Sequence, residues 1–326
     1  MTNILILSAG TRDKVVQYFK KELAGKGRVT ATDCSELAPA IYEADEYVIV
    51  PRITEPGYLE KILSICKEKQ ITGVLSLIDP ELSLLAAHKE EFLALGTVPI
   101  VPDAPQVELC FNKYAMYEKL TELGYLTGKC FSDANAFFTA LERGEACYPV
   151  FLKPVCGSAS LNINKVFCRE EVELLCKRND DLMIQEFMDG QEYGADVYID
   201  MISKEVVSVF VKKKIKMRAG ETDKSISVKD EALFELIQDF VGKMGFTGII
   251  DIDLFEIGGK WYISEVNPRF GGGYPHAYAC GVNVPAMIVN NLEGRANKPC
   301  VGAYRAGTAM MKYNEIMILE DMEGRM

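Results

Sequence analysis

The 326-residue chain has only two histidines, His88 and His276, and its ten cysteines, at positions 34, 66, 110, 130, 147, 156, 168, 176, 280 and 300, include no C-x-x-C pair. With no histidine in ligand spacing either, the sequence encodes neither a zinc site nor a disulfide framework. No run of about 18 apolar residues occurs, so neither a membrane span nor a membrane partner is expected. Met1 leads directly into the strand-like Ile4-Leu5-Ile6-Leu7 without a basic leader. Together with the unpaired cysteines this points to a reducing cytoplasm. Positive charge is also scarce: 36 Lys and Arg face 47 Asp and Glu, a net charge of −11, with a pI near 4.9. Such a balance repels phosphodiester backbones and argues against nucleic acid as a partner. Two nucleotide fingerprints are missing as well. The turn Ser8-Ala9-Gly10-Thr11-Arg12 after the first strand lacks the three glycines of a dinucleotide site, and no P-loop pattern occurs.

What is present is ordinary globular material, 48% hydrophobic and 25% charged. Surface scaling gives about 52,600 Å² for the unfolded chain and about 13,400 Å² folded, enough burial to need no staple. The length suggests about two domains. From Asn3 to Pro102, β-branched runs alternate with amphipathic stretches. Strands are predicted at 4–8, 28–32, 47–50 and 74–77, and helices at 13–25, 57–69 and 81–95, the rhythm of a parallel α/β sheet with helices on both faces. Beyond Pro105 strands predominate, at 149–154, 183–187, 193–201, 206–216, 248–257 and 261–266, with helices at 112–123, 170–177 and 231–244. That order, without strict strand–helix alternation, predicts an α+β second half.

Four elements carry chemistry. The apolar strand Val150 to Pro154 ends in Lys153 and runs into the small-residue loop Val155-Cys156-Gly157-Ser158-Ala159-Ser160, where converging backbone N–H groups and a point charge could grip a phosphate. The strand–turn–strand Ile184 to Tyr193 could pair with the edge of an adenine, with Glu192 accepting from ribose hydroxyls. In Asp251-Ile252-Asp253 and Glu265-Val266-Asn267, polar side chains stand at i and i+2, on one face of otherwise apolar strands. Oxygen donors converging in an apolar setting call for a cation, and an all-oxygen set suits Mg²⁺ or Mn²⁺. Along Lys212 to Arg218, alternation would put Lys212, Lys214, Lys216 and Arg218 on one face, a local anion trap in an acidic chain. A lysine-protected edge strand is the competing reading.

The run Glu265-Val266-Asn267-Pro268-Arg269 resembles the Glu-x-Asn-Pro-Arg signature of the ATP-grasp superfamily, in the branch of the carbamoyl-phosphate synthase large subunit. Asn112-Lys113, Lys153, the small-residue loop, the Gln185 to Tyr193 hinge and Asp253 precede it in the order that the fold requires. The resemblance implies a Rossmann-like domain over residues 1–107 and an ATP-grasp domain over 108–326, with a mobile lid at about 121–185. It also implies site roles. Lys113, Lys153 and the loop Gly157, Ser158, Ala159 and Ser160 would hold the ATP phosphates. Gln185, Glu186, Phe187 and Met188 would surround the adenine, and Glu192 would take the ribose. Asp253, Glu265 and Asn267 would bind two Mg²⁺. Lys153, Arg218 and Arg269 would serve catalysis, with Lys214, Lys216, Arg218, Arg269, Gly271 and Gly272 around the substrate. The activity implied is that of an ATP-dependent ligase joining a small carboxylate to an amine or ammonia through an acyl phosphate, in a cytoplasmic enzyme that could form a homodimer. A bicarbonate-activating enzyme and a non-catalytic nucleotide-binding subunit are the alternatives.

Parity constrains the hairpin between the two acidic strands. Asp251, Asp253, Glu265 and Asn267 converge only if paired positions sum to an even number. A two-residue Gly258-Gly259 turn gives an odd sum. A three-residue Ile257-Gly258-Gly259 loop pairs Glu256 with Lys260 and Asp251 with Glu265, and is the predicted register. A bulge deeper in either strand would achieve convergence with the other turn.

Overall fold

The computed structural model describes residues 1–157 and 162–320. Ser158, Ala159 and Ser160 of the expected phosphate loop lie outside the described residues. The first layer runs β1 (Ile4–Leu7), α1 (Asp13–Leu23), β2 (Val29–Asp33), β3 (Glu46–Ile49), α2 (Tyr58–Glu68), β4 (Gly73–Ser76), α3 (Asp79–Ala87), α4 (Lys89–Ala94) and β5 (Val98–Pro99). Its five strands form a parallel sheet in the order β3-β2-β1-β4-β5. All four residues of β1 are buried, and their alternation divides them between two cores. Ile4 and Ile6 pack with Val15, Val16 and Phe19 of α1, whereas Leu5 and Leu7 pack with Ile62 of α2 and Leu82 and Leu85 of α3. A strand buried on both faces reads as an unbroken apolar run, which is how Ile4-Leu5-Ile6-Leu7 reads. The single helix expected at 81–95 is two, interrupted at His88, whose backbone leaves the helical region.

Two helices, α5 (Ala104–Phe111) and α6 (Lys113–Glu122), lead into a small second sheet. It comprises β6 (Cys130–Phe131), α7 (Ala134–Glu142), β7 (Val150–Pro154), β8 (Asn164–Val166), α8 (Arg169–Cys176) and β9 (Leu182–Glu186), with strand order β6-β9-β7-β8. Phe131, Phe137, Val150, Leu152 and Ile184 give this layer a core of its own. The remainder is β10 (Gln191–Ile199), β11 (Val206–Arg218), β12 (Glu221–Val228), α9 (Glu231–Met244), β13 (Gly248–Ile257), β14 (Lys260–Asn267), α10 (Tyr274–Ala279), α11 (Val284–Leu292) and β15 (Ala309–Met311). The strands form an antiparallel sheet in the order β14-β13-β10-β11-β12-β15. Helix α9 begins where the Asp230 carboxylate accepts from the Leu233 N–H, and it ends at Gly245 with φ +68°. Its Leu233, Phe234, Ile237, Phe240, Val241 and Met244 join a core continuous with one face of the parallel sheet.

The hairpin departs from the predicted register. Ile257 pairs with Lys260 across a two-residue Gly258-Gly259 turn, and both glycines have positive φ, +58° and +75°. A type I′ turn needs positive φ at both central positions, so the glycine pair suits it better than a three-residue loop that uses one. Glu256 pairs with Trp261, and its carboxylate accepts from the Gly259 N–H instead of meeting Lys260. Convergence is recovered by a bulge. The ladder slips between Asp253 and Leu254, leaving Ser264 as the extra residue, so that Asp253 faces Glu265 and Asp251 faces Asn267.

His276 on α10 ties three segments together. Its Nε2 lies 3.0 Å from the Thr308 carbonyl, which can only accept. Nδ1 of the neutral ring therefore accepts from the Ser225 hydroxyl at 2.8 Å. Burial, with Lys212 nearby, lowers the imidazole pKa to about 4. An unfolded chain protonates at about pH 6.5 and so binds the proton first. Stability is therefore whole above that pH and declines as pH falls from there toward 4. Urea titrations between pH 7 and 4.5 should show a steeper acid loss for wild type than for His276→Gln. Parallel curves would refute the assignment.

Candidate active site

The site is one face of four strands. Pairing puts Glu192, Gly194 and Asp196 of β10 beside Lys214 and Lys212 of β11 on one side. On the other side lie Asp253 and Asp251 of β13, backed by Glu265 and Asn267 of β14. Because successive strand residues alternate in direction, these polar groups share one surface. Ile250, Ile252, Leu254 and Val266 of the same strands are buried in the core. A face so charged holds together only if it neutralises itself. Lys212 Nζ stands 2.5 Å from Asp196 and 3.8 Å from Asp251. Lys214 Nζ stands 2.5 Å from Asp253 and 2.7 Å from Glu192. Gly194 makes room for this, since a Cβ there would lie 3.1 and 3.2 Å from the Cε atoms of the two lysines.

Above this face is a cavity of about 390 Å³, lined from both halves of the chain. Lys113, Lys153 and Gly157 line it beside Lys214, Asp253, Glu265, Asn267, Arg269 and Gly272, so the principal residues expected from the sequence do meet. The β7 end is held to the start of α6 by the Lys113 N–H donating to the Val155 carbonyl and by Lys113 Nζ donating to that of Gly157. Lys153 is buried, and burial lowers its pKa against the pull of Glu265. For Lys214 the balance is reversed: burial alone would lower its pKa, but Asp253, Glu192 and Asp251 raise it. Glu265 is half-buried and, among the described residues, has no hydrogen-bond or ion-pair partner. An unpartnered carboxylate facing Asp253 across the bulge, with the Asn267 amide two residues on, is an all-oxygen set that suits a hard divalent cation.

Other expectations need correction. Lys216 and Arg218 do not line the cavity. Register shifts on both sides of Lys216 break the alternation that was to align them with Lys212 and Lys214, and both are exposed. Arg218 instead pairs with Asp223 at 3.1 Å and donates to Asn314. Lys214 is no free anion trap, because its charge is taken by Glu192 and Asp253. The hinge residues Gln185, Glu186, Phe187, Met188 and Glu192 lie outside the cavity lining, which does not itself overturn the adenine and ribose roles expected of them. The Glu186 N–H donates to Lys129, the Met188 carbonyl accepts from Gly190, and Phe187 packs against Phe151 under the Lys165 ammonium.

Gly271 and Gly272 act by what they lack. A Cβ on Gly271 would lie 2.4–2.5 Å from the Asp251 carboxylate atoms, one on Gly272 2.7 Å from the Glu221 carboxyl carbon, and one on Gly273 2.6 Å from Lys212 Cε. Three successive glycines thus form a floor on which three charged side chains rest. Against that floor the Asp251 carboxyl is raised to about 7, chiefly by burial and then by Asp253 and Asp196, with Lys212 opposing.

Sequence reasoning missed the contribution of the first layer. Arg12 follows β1, Asp79 follows β4, and both line the cavity. The order β3-β2-β1-β4-β5 reverses between β1 and β4, and open α/β sheets bind ligands beyond the carboxyl ends of the strands at that point. The signal was therefore topological, and the absent glycine fingerprint hid it. Asp79 accepts from Arg269 Nε at 2.8 Å and from one terminal nitrogen at 3.2 Å. The remaining Arg269 bonds go to Asn267 Oδ1 and the Phe270 carbonyl. Burial would depress Arg269, yet Asp79, with Asp251 and Glu265, raises its pKa.

Both halves of the chain resemble known proteins. Residues 4–101 match the family described as PylC-like, N-terminal domain, and residues 178–316 match ATP-grasp in the biosynthetic pathway with Ter operon. The chain is 24% identical over 276 residues to the carbamoyl phosphate synthase arginine-specific large chain of Geobacillus stearothermophilus, covering 79% of this chain and 26% of that one. It is 23% identical over 270 residues to the carbamoyl phosphate synthase large chain of Pseudomonas putida, covering 75% and 24%. The chain thus spans about a quarter of the length of these curated relatives. Among solved structures, the biotin carboxylase domain of the Hydrogenobacter thermophilus 2-oxoglutarate carboxylase superposes with a TM-score of 0.76 at 16% identity, covering 94% of this chain and 73% of that one. The L-amino acid ligase of Bacillus licheniformis superposes with 0.67 at 20% identity, covering 90% and 74%. The ATP-grasp resemblance, with its carbamoyl-phosphate synthase-like character, holds.

Removing Asp79 strips a largely buried guanidinium of its counter-ion. Asp79→Ala should therefore destabilise the chain by about 3 kcal/mol, the low end for such a loss because the pair borders the cavity. Equilibrium urea unfolding measures this, and a change under about 0.5 kcal/mol, the size of an ordinary surface substitution, would contradict the role given to the pair.

Proposed function

We propose that this ATP-grasp protein is a ligase that activates a small organic carboxylate with ATP and passes it to an amine or ammonia, releasing ADP and phosphate. The observation that carries the reading is the alignment of Asp253, Glu265 and Asn267 beside Lys153 and Lys113 in one cavity. A carboxylate oxygen of the substrate attacks the γ-phosphorus in line, the bond to the β,γ-bridging oxygen breaks, and ADP leaves. The amine nitrogen then attacks the acyl carbon, phosphate leaves with the C–O electron pair, and the nitrogen gives up a proton.

Each residue has a part in this scheme. Asp253, Glu265 and Asn267 would hold Mg²⁺, two ions in our reading, which neutralises phosphate charge when bound. Lys113 and Lys153 place cationic charge against the phosphates, and desolvation of Lys153 makes that charge count for more. Lys214 keeps Asp253 in position. Arg269, whose donors go to Asp79, Asn267 and Phe270, positions the Asn267 amide. The β6-β9-β7-β8 layer, with Gly157 at its tip, serves as a lid that excludes water and opens to release ADP. In this reading Gln185 to Met188 surround the adenine, and Glu192 accepts from the ribose hydroxyls while keeping its ion pair with Lys214.

ADP and phosphate release in a screen of acid and amine pairs tests the reading. Wild type should turn over at least one pair only with Mg²⁺ present, and Glu265→Gln and Asn267→Ala should fall to background with unchanged circular dichroism. Near-wild-type turnover by both variants would overturn the metal assignment. Turnover with bicarbonate alone would favour carboxyphosphate formation, and nucleotide binding without any turnover would favour a non-catalytic subunit.

A further inference from the structure

We propose that Arg12, supplied by the first layer, anchors a carboxylate of the substrate other than the one that is activated. The inference rests on the ligase reading for the identity of the cavity, and on the following bookkeeping of cations for the anchor. Of the charged groups lining the cavity, Arg269 spends its N–H donors on Asp79, Asn267 and the Phe270 carbonyl. Lys214 is held between Glu192 and Asp253, Lys113 donates to Gly157 beside the metal corner, and Lys153 lies buried next to Glu265, at the phosphate end in the ligase reading. Arg12 is different. Its one ion-pair partner among the described residues is Glu221, reached by a single terminal nitrogen at 2.7 Å. A guanidinium carries five N–H donors in a fork matched to a carboxylate, so most of this one is unspent.

The partner can be released cheaply. Glu221 also receives Lys312 Nζ at 2.6 Å, so it keeps a counter-ion if Arg12 turns to a ligand. Gly272, on which the Glu221 side chain rests, leaves the space beside the pair clear of any Cβ. Position agrees with chemistry, since Arg12 closes the loop from β1 to α1, on the side of the β1–β4 reversal where an open parallel sheet receives its ligand. Burial lowers the pKa of Arg12, as does Arg269, while Glu221, Asp251 and Asp79 oppose them. The ligase reading assigns the activated carboxylate to the corner of Lys153 and Glu265, and on that assignment the group at Arg12 is a second one. It belongs either to a dicarboxylic acid or to an amino acid serving as the amine.

The test is binding, measured by calorimetry with the full chain in the presence of Mg²⁺ and a nonhydrolysable ATP analogue. The probes are two- to six-carbon dicarboxylates and α-amino acids, each matched with the monocarboxylate or simple amine of the same length. At least one member should bind wild type about tenfold more tightly than its match. Arg12→Ala should abolish that preference, and Arg12→Lys, which keeps the charge but not the fork, should retain part of it. Dicarboxylates and amino acids as the preferred probes distinguish the two sources. The nucleotide analogue should bind all three proteins within about twofold of one another. A preference that survives in Arg12→Ala, one lost in Arg218→Ala instead, or none in wild type would overturn the proposal. Failure of the nucleotide to bind wild type would count against the ligase reading alone, because the carboxylate titrations can be repeated without it.

Discussion

Between Asp253 and Leu254 the ladder joining β13 to β14 slips by one residue, and the whole site depends on that slip. The Gly258-Gly259 turn sets an odd register, which continued inward would send Glu265 and Asn267 to the face opposite Asp253. With Ser264 as the extra residue, Asp253 meets Glu265 and Asp251 meets Asn267. A local irregularity in a strand thus re-aims two oxygen donors, the recurrent use of bulges beside active sites.

Bringing so many charges onto one sheet face has an electrostatic cost that the neighbouring strand offsets. Lys212 and Lys214 thread over Gly194 to reach Asp196, Asp251, Asp253 and Glu192. The lysine-rich run of β11 is therefore neither an anion trap nor an edge-strand guard. It is the internal counter-charge of the site. Glu265, though Lys153 and Arg269 are near, has no direct ion pair of this kind among the described residues, and that makes it the natural point for a cation to complete the set.

The parallel layer contributes as much as the antiparallel one. Asp79, at the start of α3, holds Arg269 by two hydrogen bonds, and Arg269 in turn donates to Asn267, so a first-layer carboxylate fixes the orientation of a metal-corner amide two links away. Glu81, two residues further along α3, accepts from Ser8, Ser76 and Tyr58, and so binds the ends of β1 and β4 to the same helix. The loop bearing Arg12 and the start of α3 bearing Asp79 are thereby held at one end of the sheet, facing the cavity. Packing agrees, since Ile4 and Ile6 of β1 share a core with β10, β11 and α9.

Much of this was legible in the chain itself. Hydrophobic periodicity located β1, α2, β13 and α9 because burial on one or both faces imposes the period directly on the residues. The Glu265-Val266-Asn267-Pro268-Arg269 run, with Lys113, Lys153 and Asp253 in order ahead of it, identified the cavity floor. The hairpin register was not legible, because parity admits both a longer loop and a bulge, and only the preference of two adjacent glycines for a I′ turn, together with pairing along the rest of the sheet, selects between them. Nor were the roles of Arg12, Asp79, Arg218 and the three-glycine floor. Arg12 and Asp79 are distant in sequence from Glu221 and Arg269, and a charge pair across such a separation leaves no local pattern. Side-chain alternation also holds only while a strand is regular, and the register shifts around Lys216 removed Arg218 from the face that counting by twos had given it. Sequence determined which chemical groups are available and in what order; tertiary structure decided which of them are already neutralised and which remain free to act.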